Sequence, residues 1–435
     1  MASTIVSRTQ SGAESVAGRR TWTFSCWFKR SKISSSQELF GSDSNGARSN
    51  NYNIIDLNAS NQIDFSGYES GTTFRKTTTR LFRDTNAWYH LVIAFDTTQS
   101  TADDRIKMYI NGVRETSFGT STNPSQDHQG KFFASNKIHA FGRSSQTFDG
   151  VISHVHATEG TAYAPTVFGS TDATTGEWKI NTSPSVSYGT NGFFLFKDDN
   201  SVNNQAGNSS GNFTVSAGTL TKTEDNPSNV FATLNPLSTK STLSHGNTEA
   251  EYGSSSNNYE TTTTTLGMTS GKYYCECKIT TDQNAPAFGI SATNSNASST
   301  LNSEWLGGSS DTYGYWVDGA VYNNGSTLAS GQSTFSTNDI MGMALDLDST
   351  QNTLKYYKNG SLVYTINVTT NSNGWLFATT HQSGKSGARS KFNFGNGYFR
   401  TDAVSSAGTN ASGIGIFEYD VPSGYTALST KGLNE

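Results

Sequence analysis

The chain has 435 residues, of which 33% are hydrophobic, 12% aromatic and only 15% charged; at roughly 150 residues per domain it has room for two or three domains. Ser, Thr, Asn and Gly fill the polar positions, which excludes a helical bundle, and no Glu/Lys heptad run supports a coiled coil. A net charge of −5 without a long basic run argues against nucleic acid as a partner, and 25 Phe, 19 Tyr and 7 Trp are too many for a disordered chain.

In chain order, residues 1–15 are polar and do not form a signal peptide, and no stretch reaches the 18 apolar residues that a membrane span needs, so no membrane insertion is expected. Trp22, Phe24, Cys26 and Phe28 alternate with Thr23, Ser25 and Trp27, which predicts a half-buried strand. The basic residues Arg75, Lys76 and Arg80 are laced with Thr and read as a solvated strand face. Residues 88–96 form a longer apolar strand, followed by a polar turn through Asp103 and Asp104. A strand over 106–110 then runs into Asn111-Gly112, a strong hairpin signal. His154 and His156 share a strand face, but no third ligand stands near, so they read as strand residues. Residues 192–196 form another strand. The Asn/Ser/Gly-rich stretch 198–229 carries Phe213, Val215 and Leu220 at strand-like spacing. Cys275 and Cys277 alternate on one strand; with Cys26 they read as core residues. The earlier pattern then returns: an apolar strand over 340–348 ending in aspartates, a strand over 354–358, and Asn359-Gly360. Two domains of one architecture follow.

The pieces TWTFSCWFKR, AWYHLVIAFD, RIKMYINGVRE and FGRSSQTFDGVISHVHATEGTAYAPTVFG, within residues 21–169, resemble the laminin-G/pentraxin-like, concanavalin A-like jelly roll. Residues 192–215 look like the strand and SSGN turn that usually open such a module, which implies that they return to complete its sheet in permuted order. The pieces SGKYYCECKIT, FGISA, YGYWVDGAVYNNG, DIMGMALDLDSTQNTLKYYKNGSLVYTI and WLFATTHQSG resemble a SPRY domain, with Cys275 where such domains often have Trp. The implied fold is all-β, two tandem concanavalin A-like antiparallel β-sandwiches. Its plan is a jelly roll over 1–222, a linker over 223–235, a SPRY-like sandwich over 236–400 and a C-terminal extension over 401–435. The SRT start, the TAYAPTVFG and YGTNGFFLFKD stretches, NPSNVFATLNPL and the closing PSGYTALSTKGLNE together resemble tail-fibre and virion-surface proteins of tailed bacteriophages, marine ones especially. That resemblance implies a non-enzymatic virion protein assembled in the host bacterial cytoplasm, either a receptor-binding tail fibre or a capsid- or tail-decorating protein. Its partners would be other virion proteins and a host-surface glycan or protein, and it would be a homo-oligomer, with a trimer favoured.

A glycan hydrolase on this fold needs two carboxylates about 5–5.5 Å apart for retention, and no E-x-D-x-E type run is present. Asp346 and Asp348 share a face but fit a strand end before a turn. No catalytic or metal residue is therefore assigned, and no cofactor is expected. Calcium, which many concanavalin-like lectins hold through loop acids, would fall to Asp103, Asp104, Asp198 and Asp199. Asn-x-Ser/Thr sequences at Asn208, Asn359 and Asn367 are what an Asn/Ser/Thr-rich chain gives by chance. Sandwiches bind through end loops. Trp305, on the polar loop 295–310, and His381, Lys385 and Arg389, on the loop 381–389, are the expected binding residues, with the two cations favouring acidic polysaccharide. Tyr313, Tyr315 and Trp316 are expected in the core.

Overall fold

Alternation decides the strand Thr21–Arg30: Trp22, Phe24, Cys26 and Phe28 enter one core, while Ser25 and Trp27 face the other way. The computed structural model describes residues 4–43, 50–143, 146–197, 201–253, 259–280, 286–293, 304–382 and 388–434. It is 44% strand and 4% helix. No helix among the described residues is long and apolar enough to cross a membrane. The chain divides into two units, Met1–Lys222 and Thr223–Glu435.

Among the described residues of the first unit, one sheet has six strands in the order Phe193–Leu195, Gly150–Glu159, Thr21–Arg30, Tyr89–Asp96, Ile106–Ile110, Val113–Arg114. The other has eight, in the order Phe118–Thr122, Thr72–Thr78, Ile63–Tyr68, Tyr52–Leu57, Gln37–Asp43, Ile138–Phe141, Ile5–Thr9, Thr214–Ala217. Their inward faces share one aromatic core, in which Trp22 stacks on Phe95 at 4.6 Å and Phe24 on Phe40 at 5.0 Å. Both strands of the 192–217 return lie in this unit. Phe193–Leu195 pairs with Gly150–Glu159, and Thr214–Ala217 pairs with Ile5–Thr9. Arg8 pins the return. Its buried guanidinium donates to Ser210 Oγ, Gly211 O, Asn191 O and Gln10 Oε1, each at 3.0 Å, and lies 4.7 Å over the Phe213 ring.

The second unit repeats the plan. Thr242–Ser244, Glu249–Glu251, Arg389–Asn393, Lys272–Ile279, Ile340–Asp346, Thr353–Lys358 and Ser361–Asn367 form one sheet. Tyr259–Thr263, Trp375–Gln382, Ala287–Ala292, Thr312–Trp316, Val321–Asn323 and Ser326–Ala329 form the other. Cys275 and Cys277 both enter the core between them, as free thiols. The duplicated hairpin has the same backbone geometry in both units. Asn111 and Gly112 have φ of 48° and 78°, and Asn359 and Gly360 have 46° and 81°, the left-handed pair that a two-residue hairpin needs. Asn111 Oδ1 accepts the His90 N–H at 2.8 Å, and Asn359 Oδ1 accepts the Ile340 N–H at 2.9 Å. The strand-end acids cap the turns that follow them: Asp96 accepts the Thr98 N–H at 3.1 Å, and Asp346 accepts those of Asp348 and Ser349 at 3.0 and 3.1 Å.

Two segments differ from the domain plan read from sequence. Residues 223–235 are not a free linker, and the described part of 401–435, residues 401–434, is not an appended extension: both pack on the second sandwich. Phe231 bridges Ser429, Leu234 bridges Thr264, and Thr426–Ala427 runs parallel beside Lys272–Ile279. The cause is apolar. Phe231, Phe417, Val421, Tyr425 and Ala427 form a second small core with Tyr274 and Ala344 on the outer face of that sheet. Glu276, on the same face, accepts the Glu418 and Tyr419 N–H groups at 2.9 Å each.

Candidate functional site

In Thr312–Trp316, Tyr313 and Tyr315 point into the core, leaving Gly314 and Trp316 on the outer face. A Cβ on Gly314 would collide with the Leu306 carbonyl. Glycine there lets the loop 304–311 lie flat on the sheet. That loop is pinned throughout. Trp316 Nε1 donates to Leu306 O at 3.0 Å, the Thr261 hydroxyl donates to Glu304 O, and the Gly307 N–H donates to Thr312 Oγ1 at 3.0 Å. Asn323 Nδ2 spans the carbonyls of Ser309, Ser310 and Thr312 at 3.3, 3.2 and 2.8 Å. The arrangement sets the Trp305 ring 5.2 Å from Tyr322, 5.5 Å from Trp316 and 6.0 Å from Tyr259. Trp316 is the buried floor of this cluster, while Tyr259, Trp305 and Tyr322 are half-buried around it. The Tyr259 and Tyr322 hydroxyls and the Trp305 N–H have no hydrogen-bond partner among the described residues, and none of the three is buried. Sequence reasoning reached Trp305 but missed Tyr259 and Tyr322, which come from strands far apart in the chain.

The first unit contains a pair that looks catalytic and is not built to be. Ser25 Oγ lies 2.8 Å from His90 Nε2, and Trp178 Nε1 lies 2.9 Å from His90 Nδ1. An indole N–H only donates, so Nδ1 is the acceptor. The proton therefore sits on Nε2 and points at Ser25. In that tautomer His90 cannot take the serine proton. Burial also lowers its pKa to about 3, which keeps it neutral. Residues 161–191 roof this face: Trp178 stacks on His90 at 6.0 Å, the Tyr163 N–H bonds Thr23 Oγ1 at 2.7 Å, and the Tyr188 hydroxyl meets His156 Nδ1 at 2.8 Å.

Residues 7–167 match the family model of the concanavalin A-like lectin/glucanases superfamily, of laminin-G type, and residues 272–397 match that of the SPRY domain. The chain carries a concanavalin A-like domain followed by a SPRY domain. Both are β-sandwiches typical of adhesion or protein-interaction modules. A search of curated proteins finds no match. Among solved structures, the SPRY domain of human HERC1 is similar at 20% identity, with 37% of this chain and 96% of that chain covered and a TM-score of 0.31. A human SPRY domain is similar at 19%, covering 33% and 90%, with a TM-score of 0.29. The TRIM65 PSpry domain is similar at 16%, covering 37% and 88%, with a TM-score of 0.30.

Of the four binding residues expected from sequence, the three described, Trp305, His381 and Arg389, do not come together in the SPRY domain. His381 is not on a loop: the strand Trp375–Gln382 runs on because Glu260 pairs with His381 and Tyr259 with Gln382. Its side chain, 1% exposed, stacks on Tyr252 at 3.7 Å and meets Ser390 Oγ at 3.0 Å; burial lowers its pKa to about 3. Arg389 opens a strand of the facing sheet, where Glu251 holds it at 2.9 Å and Glu249 at 3.6 Å. Lys385 lies outside the described residues. Among the three described residues, Trp305 and Arg389 are both half-buried, and Arg389 is taken up by its two carboxylates. Of the calcium candidates, Asp104 faces Lys107 at 3.2 Å and Arg114 at 3.5 Å, and Asp103 accepts from Asn123 at 2.7 Å and faces Lys76 at 3.9 Å. Asp198 and Asp199 lie outside the described residues. Among the described residues, no group of three or more His, Cys, Asp or Glu is arranged to hold a metal.

Proposed function

We propose that the chain is a non-enzymatic adhesion protein of a tailed-bacteriophage virion, a tail fibre or receptor-binding protein that touches the host surface. The observation that carries the adhesive part is the Tyr259–Trp305–Tyr322 cluster, a pinned aromatic surface with three open polar tips on a module of interaction type. The tautomer of His90 supports the non-enzymatic part, since the imidazole that meets Ser25 holds its proton toward the hydroxyl and cannot act as its base. The phage context rests on the sequence resemblance. The same resemblance motivates localisation to the virion, no cofactor, and virion proteins as further partners. Gold-labelled antibody against the chain, imaged on intact particles, is expected to mark the tail tips. Label spread over the capsid would replace this reading with that of a decorating protein, and unlabelled particles would remove the virion role.

A further inference from the structure

We infer that the Tyr259–Trp305–Tyr322 platform of the SPRY domain binds an uncharged saccharide; this rests on the reading of the chain as an adhesion protein. The neighbouring aromatics show what is distinctive. Trp316, Tyr313 and Tyr315 each spend their polar atom inside the fold, on Leu306 O at 3.0 Å, Thr369 Oγ1 at 3.4 Å and Ser333 O at 2.6 Å. Tyr259, Trp305 and Tyr322 pack their rings around Trp316 on the outer face and leave two hydroxyls and one N–H outward. A sugar ring has the complementary chemistry: an apolar C–H face to lie on an aromatic ring, and a rim of hydroxyls that both donate and accept. The Trp305 ring meets Tyr322 at 82° and Trp316 at 67°. The platform is thus a set of differently tilted faces, which suits one ring with hydroxyls around it rather than an extended peptide. Because Asn323 and Trp316 already hold the loop, little ordering cost falls on binding.

Charge selects the class. No Lys or Arg occurs between Lys278 and Lys355, and the charged residues of the loop 304–311 are Glu304 and Asp311. Acidic sugars would meet carboxylates there. Of the two cations expected to receive them, Arg389 is held by Glu249 and Glu251 in the other sheet, and Lys385 lies outside the described residues. The full chain is titrated with cellohexaose, maltohexaose and mannohexaose, and with hexagalacturonate as the acidic comparator, read by tryptophan fluorescence and saturation-transfer NMR. Saturable binding of at least one neutral oligomer is expected. Trp305→Ala should weaken it by about tenfold or more and Tyr322→Phe by a few-fold. Tyr259→Phe and Tyr322→Phe keep the rings and delete only a hydroxyl, so they carry the test if Trp305→Ala misfolds. The proposal is overturned by no binding of any neutral oligomer, by binding that the variants leave unchanged, or by hexagalacturonate or a proline-rich peptide occupying the platform instead. If folded Trp305→Ala still adheres to host cells as well as wild type, this site is removed while the adhesion reading stands. If the wild type does not adhere to cells at all, the adhesion reading fails by itself.

Discussion

Trp178 shows how one donor sets the chemistry of a buried histidine. Its N–H to His90 Nδ1 leaves the imidazole proton on Nε2, aimed at Ser25. Trp178→Phe removes that donor and leaves a buried acceptor unmet, at a cost of about 1–3 kcal/mol. The expected readouts are a lower denaturation midpoint and a changed tautomer in the ¹⁵N spectrum of His90. An unchanged tautomer would show that Ser25, not Trp178, fixes it. At this scale the sequence was only partly legible. Trp305 stood out as a large aromatic on a polar loop. His381 and Arg389 looked like loop residues because Gly and Ser follow or precede them, yet strand pairing with Tyr259–Thr263 and Glu249–Glu251 claims both. Pairing across more than a hundred residues leaves no local signal.

The hairpins are the elements most plainly written in the sequence, because Asn-Gly is a backbone requirement and not a packing preference. Gly112 and Gly360 both hold left-handed φ, so alanine at either costs about 1 kcal/mol from the backbone alone. A Cβ would also collide at both positions, with the Trp178 ring from Gly112 and, less deeply, with the Tyr419 ring at 2.7 Å from Gly360. Gly112→Ala is expected to be the more damaging in denaturant titration; equal effects would mean that the roof of residues 161–191 shifts freely. The C-terminal strap was not legible, since Phe417, Val421 and Tyr425 follow no strand period; only the outer face of Lys272–Ile279 makes sense of them. Glu276 clamps that strap. Burial pushes its carboxyl up from 4.5 to about 7, against the pull of the Glu418 and Tyr419 N–H groups, the Tyr274 hydroxyl and the Asn393 amide. The folded chain thus keeps a proton that the unfolded chain has lost. The stability from this group is full below about 4.5 and declines as pH rises through about 7, by about 3 kcal/mol. Denaturation of Glu276→Gln across that window should lack this decline; a parallel decline in both proteins would assign it to other groups.

For the whole molecule, two sandwiches with one hairpin plan follow from the repeated strand–turn–strand–Asn-Gly pattern, and the 192–217 return follows from its likeness to an opening strand. A protein of a symmetric appendage is expected to be a homo-oligomer, with a trimer favoured, and mass photometry of the full chain should show it; a strictly monomeric species at all concentrations would contradict that expectation. The central claim is adhesion without chemistry. It is tested most directly by incubating the purified full chain with host cells and measuring, in the same samples, the protein retained and the reducing sugar released. The account predicts saturable retention with no sugar above the buffer control; absent retention, or sugar rising with time and protein concentration, would contradict it.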